Sequence, residues 1–343
     1  MTLRRLRRAL PTEQPPVNQD TLDPKPTPKP SQGFPIYDVA FLGHYTKDTI
    51  VSPTGTRVVD GGAFNYGAHV AARMGLNVAA ITCLAREDFH VVDELTALGV
   101  DVFARETPHS TCLRLEYPTS NVDQRVITVE STAGPFTPAD VEPLQARVVL
   151  VGASMRGEVS LDVIEALSRK DICGQSSARR SSVLAIDVQG FVRVARRGWK
   201  TSEGKLVYEP WSEKHQVLAH VDVLKADAVE AEMLTGETDL RTAARMLSDL
   251  GPGEIVLTHR DGVLVYADDQ FHEAAFVPRE IVGRSGRGDT CIAAYVARRL
   301  TASPAEATVW AAAVTSLKME AEGPFRREIG DVEDLVGNEY KEM

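Results

Sequence analysis

The sequence predicts an α/β domain with a central, mostly parallel sheet, helices on both faces and a small β lid. Three observations predict it. From residue 147 onward, short apolar runs alternate with amphipathic helical patterns, the signature of a parallel sheet covered on both sides. Two earlier pairs of strand-like segments break that rhythm and read as hairpins. Across 343 residues, 43% are apolar and 25% charged, which is ordinary for a globular chain with ample material for a core.

Taken in order, the first 35 residues hold eight of the 19 prolines, and Asp23–Pro30 reads DPKPTPKP. Alternate prolines remove backbone donors and favour extended conformations, so residues 1–35 read as an unstructured leader outside the core. Ile36–Gly43 is a short apolar run ending in glycine, suited to a buried strand. Asp48–Val51 and Arg57–Asp60 form a hairpin around Pro53 and Gly55. Phe64–Met74 has apolar residues at helical spacing and stops at Gly75. Asn77–Cys83 is a strand, Asp88–Leu98 a helix and Asp101–Arg105 a strand. Thr111–Tyr117 and Arg125–Glu130 form the second hairpin, so the lid spans about 45–60 and 110–130.

Strands follow at Arg147–Val151, Val183–Asp187, Val221–Lys225 and Glu254–Thr258, with helices at Leu161–Ser168, Ala228–Leu234 and Leu240–Leu250. Asp171–Ser182 and Val194–Leu206 are polar and read as loops. Val263–Tyr266 and Phe271–Phe276 make a late hairpin before helices near Thr290–Leu300 and Pro304–Met319. The folded domain is expected at 36–335, with 336–343 as a tail.

Charge and composition exclude several classes. A net charge of −10 weighs against a nucleic-acid partner, because nothing would supply the counterion-release term. No apolar run of 18 residues occurs, so no spanning helix and no membrane partner are expected. The basic start MTLRRLRRAL lacks an apolar segment behind it, unlike a secretory signal, and leaves organelle targeting open. Four scattered cysteines without a CxxC pair suit reduced thiols in a cytoplasm. The histidines include no zinc-type spacing.

The most informative stretch is Gly283–Ala294, GRSGRGDTCIAA. Glycines at 286 and 288 flank Arg287, Asp289 follows, and a helix begins at once. Glycines bring backbone N–H groups close to a ligand, and a helix N-terminus favours an anion such as phosphate. A carboxylate there would repel phosphate, so Asp289 makes sense as a base on a hydroxyl approaching a phosphoryl group. The plainer reading is an N-cap, a common job for Asp.

GRGD before a helix resembles the second signature of the ribokinase-like (PfkB) carbohydrate kinases, usually GAGD. The first signature, GG then Asn and an Ala-rich helix ending in Gly, is matched by Gly61, Gly62, Asn65 and Ala68–Gly75. The resemblance covers about Ile36 to Asp331. It implies a ribokinase-like three-layer sandwich and ATP-dependent phosphorylation of a sugar or polyol hydroxyl. Asp289 would be the catalytic base, and Gly286, Arg287 and Gly288 the anion hole. The wording DVQGFVR, LKADAVEAEMLTG and THRDGVLVY is most similar to the inositol-kinase branch, so myo-inositol is the first acceptor. Ribose, fructose, a sugar acid or a nucleoside are the alternatives.

Other residues carry over by the same resemblance. Asp48, with Gly61, Gly62, Asn65 and Arg193, would bind the acceptor. Lys225, Asp227, Thr258, Arg260 and Gly262 would bind ATP. Asp227 and Glu230, sharing a helix face, would orient hydrated Mg²⁺. Arg260 stands where the family has a glycine, which puts that turn's geometry in doubt, and Arg287 departs likewise inside the anion loop. Both leave open a non-catalytic binding relative. A monovalent cation and a homodimer are also compatible with the family. His44, Lys47 and the Arg326–Arg327 pair are further candidates that read equally well as structural or surface residues. A dinucleotide oxidoreductase is disfavoured, since GHYTKD rather than GxGxxG follows the first strand.

Overall fold

The structure is a computed structural model that describes residues 4–6, 35–53, 55–118, 125–170, 182–197 and 204–340. Its large sheet has seven parallel strands at the centre. Their spatial order is β6 (Asp101–Glu106), β5 (Val78–Leu84), β2 (Tyr37–Leu42), β9 (Ala146–Val151), β10 (Val183–Asp187), β13 (Val223–Asp227) and β14 (Glu254–Thr258). On one edge β1 (Arg4–Leu6) pairs antiparallel with β6; on the other lies the hairpin β15 (Gly262–Ala267) and β16 (Gln270–Ala275).

The strands read as apolar runs because both faces are buried. On β2, Val39 and Phe41 join one core while Ala40 and Leu42 join the other, the period of two expected of a strand. The first core packs α1 (Ala63–Arg73), α2 (His90–Ala97), α9 (Arg287–Arg299), α10 (Pro304–Met319) and α11 (Ile329–Glu339). The second packs α3 (Pro138–Val141), α4 (Leu161–Ser168), α5 (Gln189–Val192), α6 (Lys214–Leu218), α7 (Ala228–Thr235) and α8 (Leu240–Ser248). Local chemistry sets the helix starts. Ser303 and Glu306 form a capping box with Pro304 at the first helical position of α10, and Asp227 and Glu230 form another on α7.

The lid is a separate six-stranded sheet in the order β11 (Arg193–Arg197), β12 (Gly204–Tyr208), β8 (Val126–Ser131), β7 (Thr111–Glu116), β3 (Thr46–Ser52) and β4 (Gly55–Gly61). The two expected hairpins are there, β3–β4 and β7–β8. The third, β11–β12, corrects the expected loop at Val194–Leu206. Arg196 and Lys205 interrupt the apolar pattern because this hairpin lies at the lid's edge, where both are exposed.

Two boundaries also differ. The expected tail at 336–343 overlaps α11, and Tyr340 is buried with its hydroxyl donating to the Ala275 carbonyl. The leader, expected wholly outside the fold, contributes β1; residues 7–34 and the expected loop at 171–181 lie outside the described residues. Among the described residues no helix is long and apolar enough to cross a membrane.

Candidate active site

Strand order reverses at β2, from which β5 and β6 run one way and β9 to β14 the other. Ligands bind beyond the carboxyl ends of parallel strands near such a switch. A cavity of about 590 Å³ lies beyond the carboxyl ends of β13 and β14, lined also by Gln189 after β10, the start of α9 and the lid.

The start of α9 dictates the centre. Gly286 is its N-cap with φ 74°, a left-handed conformation that a side chain rarely adopts. A Cβ there would stand 2.3 Å from the Tyr66 ring, and one on Gly288 would stand 2.9 Å from Lys225 Nζ. Both glycines thus allow close approach, of the loop to α1 and of an ammonium to the helix N-terminus. Asp289 is therefore the third helical residue and not the N-cap, which removes the plainer reading of that carboxylate. Its Oδ1 is shielded and has no hydrogen-bond partner. Burial raises its pKa, opposed by Lys225, Arg193 and Lys318.

The first signature builds an acidic cluster near Asp289, and its expected acceptor residues Asp48, Gly61, Gly62 and Asn65 stand outside the lining of this cavity. Asp48 on β3 is 6% exposed, and burial pushes its carboxyl up to about 7, with the Asp289 charge adding and Thr46 opposing. Gly61 exists as glycine because a Cβ would stand 2.7 Å from Asp48 Oδ2, and Gly62 has φ 97° at the entry to α1. The Asn65 amide donates to the Asp60 carbonyl. Oδ1 of Asn65 and Oδ1 of Asp48 are buried without partners.

The other end is cationic. Lys225, 3% exposed, makes a 2.9 Å ion pair with Asp187; burial works against its charge, and Asp187 and Glu230 outweigh this to raise its pKa. Arg193 bonds Glu230 at 3.0 Å and lies over the Tyr208 ring. Arg260, Arg284 and Arg287 stand along the α9 side, with Arg287 reaching the Arg260 carbonyl and the Phe276 ring. Arg125 and Lys205 come from the lid. Asp227 and Asp289 are the carboxylates in this lining.

Several expected residues stand elsewhere or act otherwise. Glu230 was expected to orient Mg²⁺; instead it is fully buried, one oxygen taken by Arg193 and the other accepting from the Asp227 N–H. Asp227 faces the cavity and keeps that role available. Arg193, expected on the acceptor, is held by Glu230 on the cationic side. Gly262, expected in an ATP turn, packs against the Ala274 carbonyl, where a Cβ would stand 2.4 Å away, and is absent from the lining. Thr258 does line the cavity. His44 is internal, within 3.0 Å of Thr111 Oγ1 and 3.2 Å of Glu158 Oε1, and Lys47 pairs with Asp88. Arg326 and Arg327 make surface pairs with Glu94 and Glu320. Sequence reasoning assigned no role to Asp187, Tyr66 or Lys318. The last had a signal, a lone lysine in an Ala-rich apolar helix.

Over residues 205–325 the chain matches the pfkB family carbohydrate kinases. It is 35% identical, with a TM-score of 0.76, to a pyrophosphate-dependent kinase of the ribokinase family solved with a pyrophosphate analog and myo-inositol; the match covers 86% of this chain and 99% of that one. A ribokinase from Arabidopsis thaliana, solved with ribose and ATP, shares the fold at 17% identity and a TM-score of 0.66, over 88% and 98% of the two chains. A cytidine kinase from Thermococcus kodakarensis is 26% identical over 285 residues, 80% of this chain and 92% of that protein.

Proposed function

This chain belongs to the ribokinase (PfkB) family of carbohydrate kinases and transfers a phosphoryl group to a sugar or polyol hydroxyl; we propose that the acceptor is a polyol, myo-inositol first, and that the donor is inorganic pyrophosphate. Pyrophosphate replaces the ATP that the family resemblance implies. The observation that carries the donor is the cationic end of the cavity, where Arg260 and Arg287 occupy the two positions at which this sequence departs from the family's small residues. A small, densely charged anion fits that lining, since guanidinium groups bind phosphate oxygens through paired N–H donors. The likeness to the pyrophosphate-dependent kinase supports the same reading.

The acceptor end supports a polyol. Oδ1 of Asp48, of Asn65 and of Asp289 are buried acceptors without partners, and a ring of hydroxyl donors satisfies such groups. Asp289 takes the hydroxyl proton as the oxygen attacks phosphorus. The bond from that phosphorus to the bridging oxygen breaks, and the second phosphate leaves. The N–H groups at the start of α9 and the Lys225 ammonium beneath Gly288 hold the charge on the transferred group. For Mg²⁺, Asp227 is the carboxylate that fits, since such ions bind through few carboxylates plus substrate oxygens and water. When bound it supplies charge neutralisation on the donor.

The experiment is a matrix of polyols and sugars against pyrophosphate and ATP, with Mg²⁺, reading phosphorylated product. Myo-inositol with pyrophosphate is expected to give the highest kcat/KM. A preference for ATP would overturn the donor, and a preference for ribose or a nucleoside the acceptor.

A further inference from the structure

The anion loop is latched to α10 in a way the transfer chemistry above does not use. The N–H groups of Val282 and Gly283 donate to the Met319 carbonyl at 2.9 and 3.0 Å. One residue earlier on α10, Lys318 is 2% exposed, and its Nζ donates to the carbonyls of Gly283, at 3.0 Å, and Ser285. The same ammonium sits 5.4 Å from the centroid of Tyr66, the ring that Gly286 packs against. One buried cation therefore touches both walls of the turn that presents the α9 N–H groups. A buried ammonium costs desolvation, and a lysine in an otherwise apolar helix is retained only where that cost is offset.

We propose that the Lys318 ammonium is the cation that holds the anion loop in its phosphoryl-binding shape, a positioning residue that replaces any dissolved monovalent cation at this loop. It acts through the Gly283 and Ser285 carbonyls. Removing the charge leaves two carbonyls turned inward without a donor, and the Gly286 turn then relaxes away from the reacting phosphorus. The role rests on reading this loop as the phosphoryl site, whichever donor is used. The groups facing the ammonium are Tyr66 from α1, Asp289 from α9 and Glu322 after the end of α10. Burial lowers the Lys318 pKa to about 8, with Glu322 and Asp289 opposing. The latch is then charged below that pH and lost above it.

The test has three parts. Wild-type turnover is expected to be equal in sodium, potassium and tetramethylammonium buffers; severalfold stimulation by potassium overturns the proposal. Lys318→Ala is expected to lose about tenfold or more in kcat, the scale of one hydrogen bond from a charged donor, with polyol KM nearly unchanged. Potassium or ammonium should restore part of that loss and tetramethylammonium none. The wild type is expected to lose turnover on an alkaline limb near pH 8, and the restored variant to lack that limb. A loss that no cation restores, with the limb unchanged, means a purely structural lysine and overturns the role. Lys318→Met, read by amide exchange over residues 283–288, covers an alanine variant that does not fold. Faster exchange in that loop is expected, and unchanged exchange overturns the latch. That readout needs no turnover, so an inactive wild type would count against the kinase reading and leave the latch measurable.

Discussion

On the first-signature side of Asp289, three buried oxygens, on Asp48, Asn65 and Asp289 itself, stand without partners, whereas in the cavity Lys225 and Arg193 are already ion-paired to Asp187 and Glu230. The difference follows from what each end must bind. A polyol brings hydroxyl donors, so its site needs acceptors left unsatisfied until the substrate arrives. A phosphate brings diffuse negative charge, so its site needs cations held in place beforehand, at no reorganisation cost during reaction. Asp289 sits where the two ends meet.

The comparison breaks most visibly at Asp289. Asp289→Asn keeps the size but cannot take a proton, and general bases contribute about 10²–10⁴-fold, so kcat should fall by at least about 100-fold. Pyrophosphate affinity, measured by calorimetry, should hold or improve as a negative charge is removed. Near-normal turnover in a folded variant would remove Asp289 as the base. In the wild type, the raised Asp289 pKa should put the acid limb of the rate profile above the usual carboxylate range.

Asp48→Asn tests the acceptor end alone and should raise polyol KM by about tenfold or more, the loss of one hydrogen bond to a charged acceptor. Its effect on stability has the opposite sign. Burial raises the Asp48 pKa from 3.8 to about 7, so the folded state keeps its proton while the unfolded state has released it. Stability contributed by this group is therefore full below pH 3.8 and is lost as pH rises towards 7. At pH 8 the penalty is of the order of 4 kcal/mol for about three pKa units, and Asp48→Asn should melt higher than wild type there. A lower melting temperature at pH 8 would mean that Asp48 is compensated in the free enzyme.

At the donor end, Arg260→Gly and Arg287→Ala should each cost about tenfold in kcat/KM for pyrophosphate, the scale of one charge-assisted hydrogen bond, and leave polyol KM unchanged. ATP turnover should suffer less than pyrophosphate turnover in both. Equal losses with the two donors would mean that these arginines do not choose between them.

The same contrast governs what the sequence discloses. Backbone-driven features were legible: Gly61, Gly62, Gly286 and Gly288 mark close approaches that only glycine permits, and the two signatures around them locate both ends of the site. The parallel strands were legible because burial on both faces leaves unbroken apolar runs, as in β9 and β10. Partnerships were not. The Asp227–Glu230 capping box has its spacing in the sequence, but nothing in spacing says that Arg193 takes Glu230 or that Lys225 and Asp187 meet, because those contacts join elements far apart in the chain. Charge likewise concealed the β11–β12 hairpin, whereas a lone lysine in an apolar helix marked Lys318 as unusual without naming the carbonyls it meets.

The smallest effect is expected from the leader, whose described residues 4–6 pair with β6 at the edge of the large sheet. Deleting residues 1–34 removes β1, whose three residues pair with Ala104, Phe103 and Val102 on β6 at the far edge of the sheet. A three-residue edge strand adds few ladder bonds, and proline-rich sequence donates few more, so stability should change by less than about 1 kcal/mol, or a few degrees in Tm. Polyol and pyrophosphate KM should both hold. The deletion does uncover the β6 edge, and an exposed edge with apolar side chains is a template for self-association, so the truncated protein should aggregate sooner at high concentration, read by light scattering. A Tm loss well beyond a few degrees would show that the leader packs on the domain through more than β1.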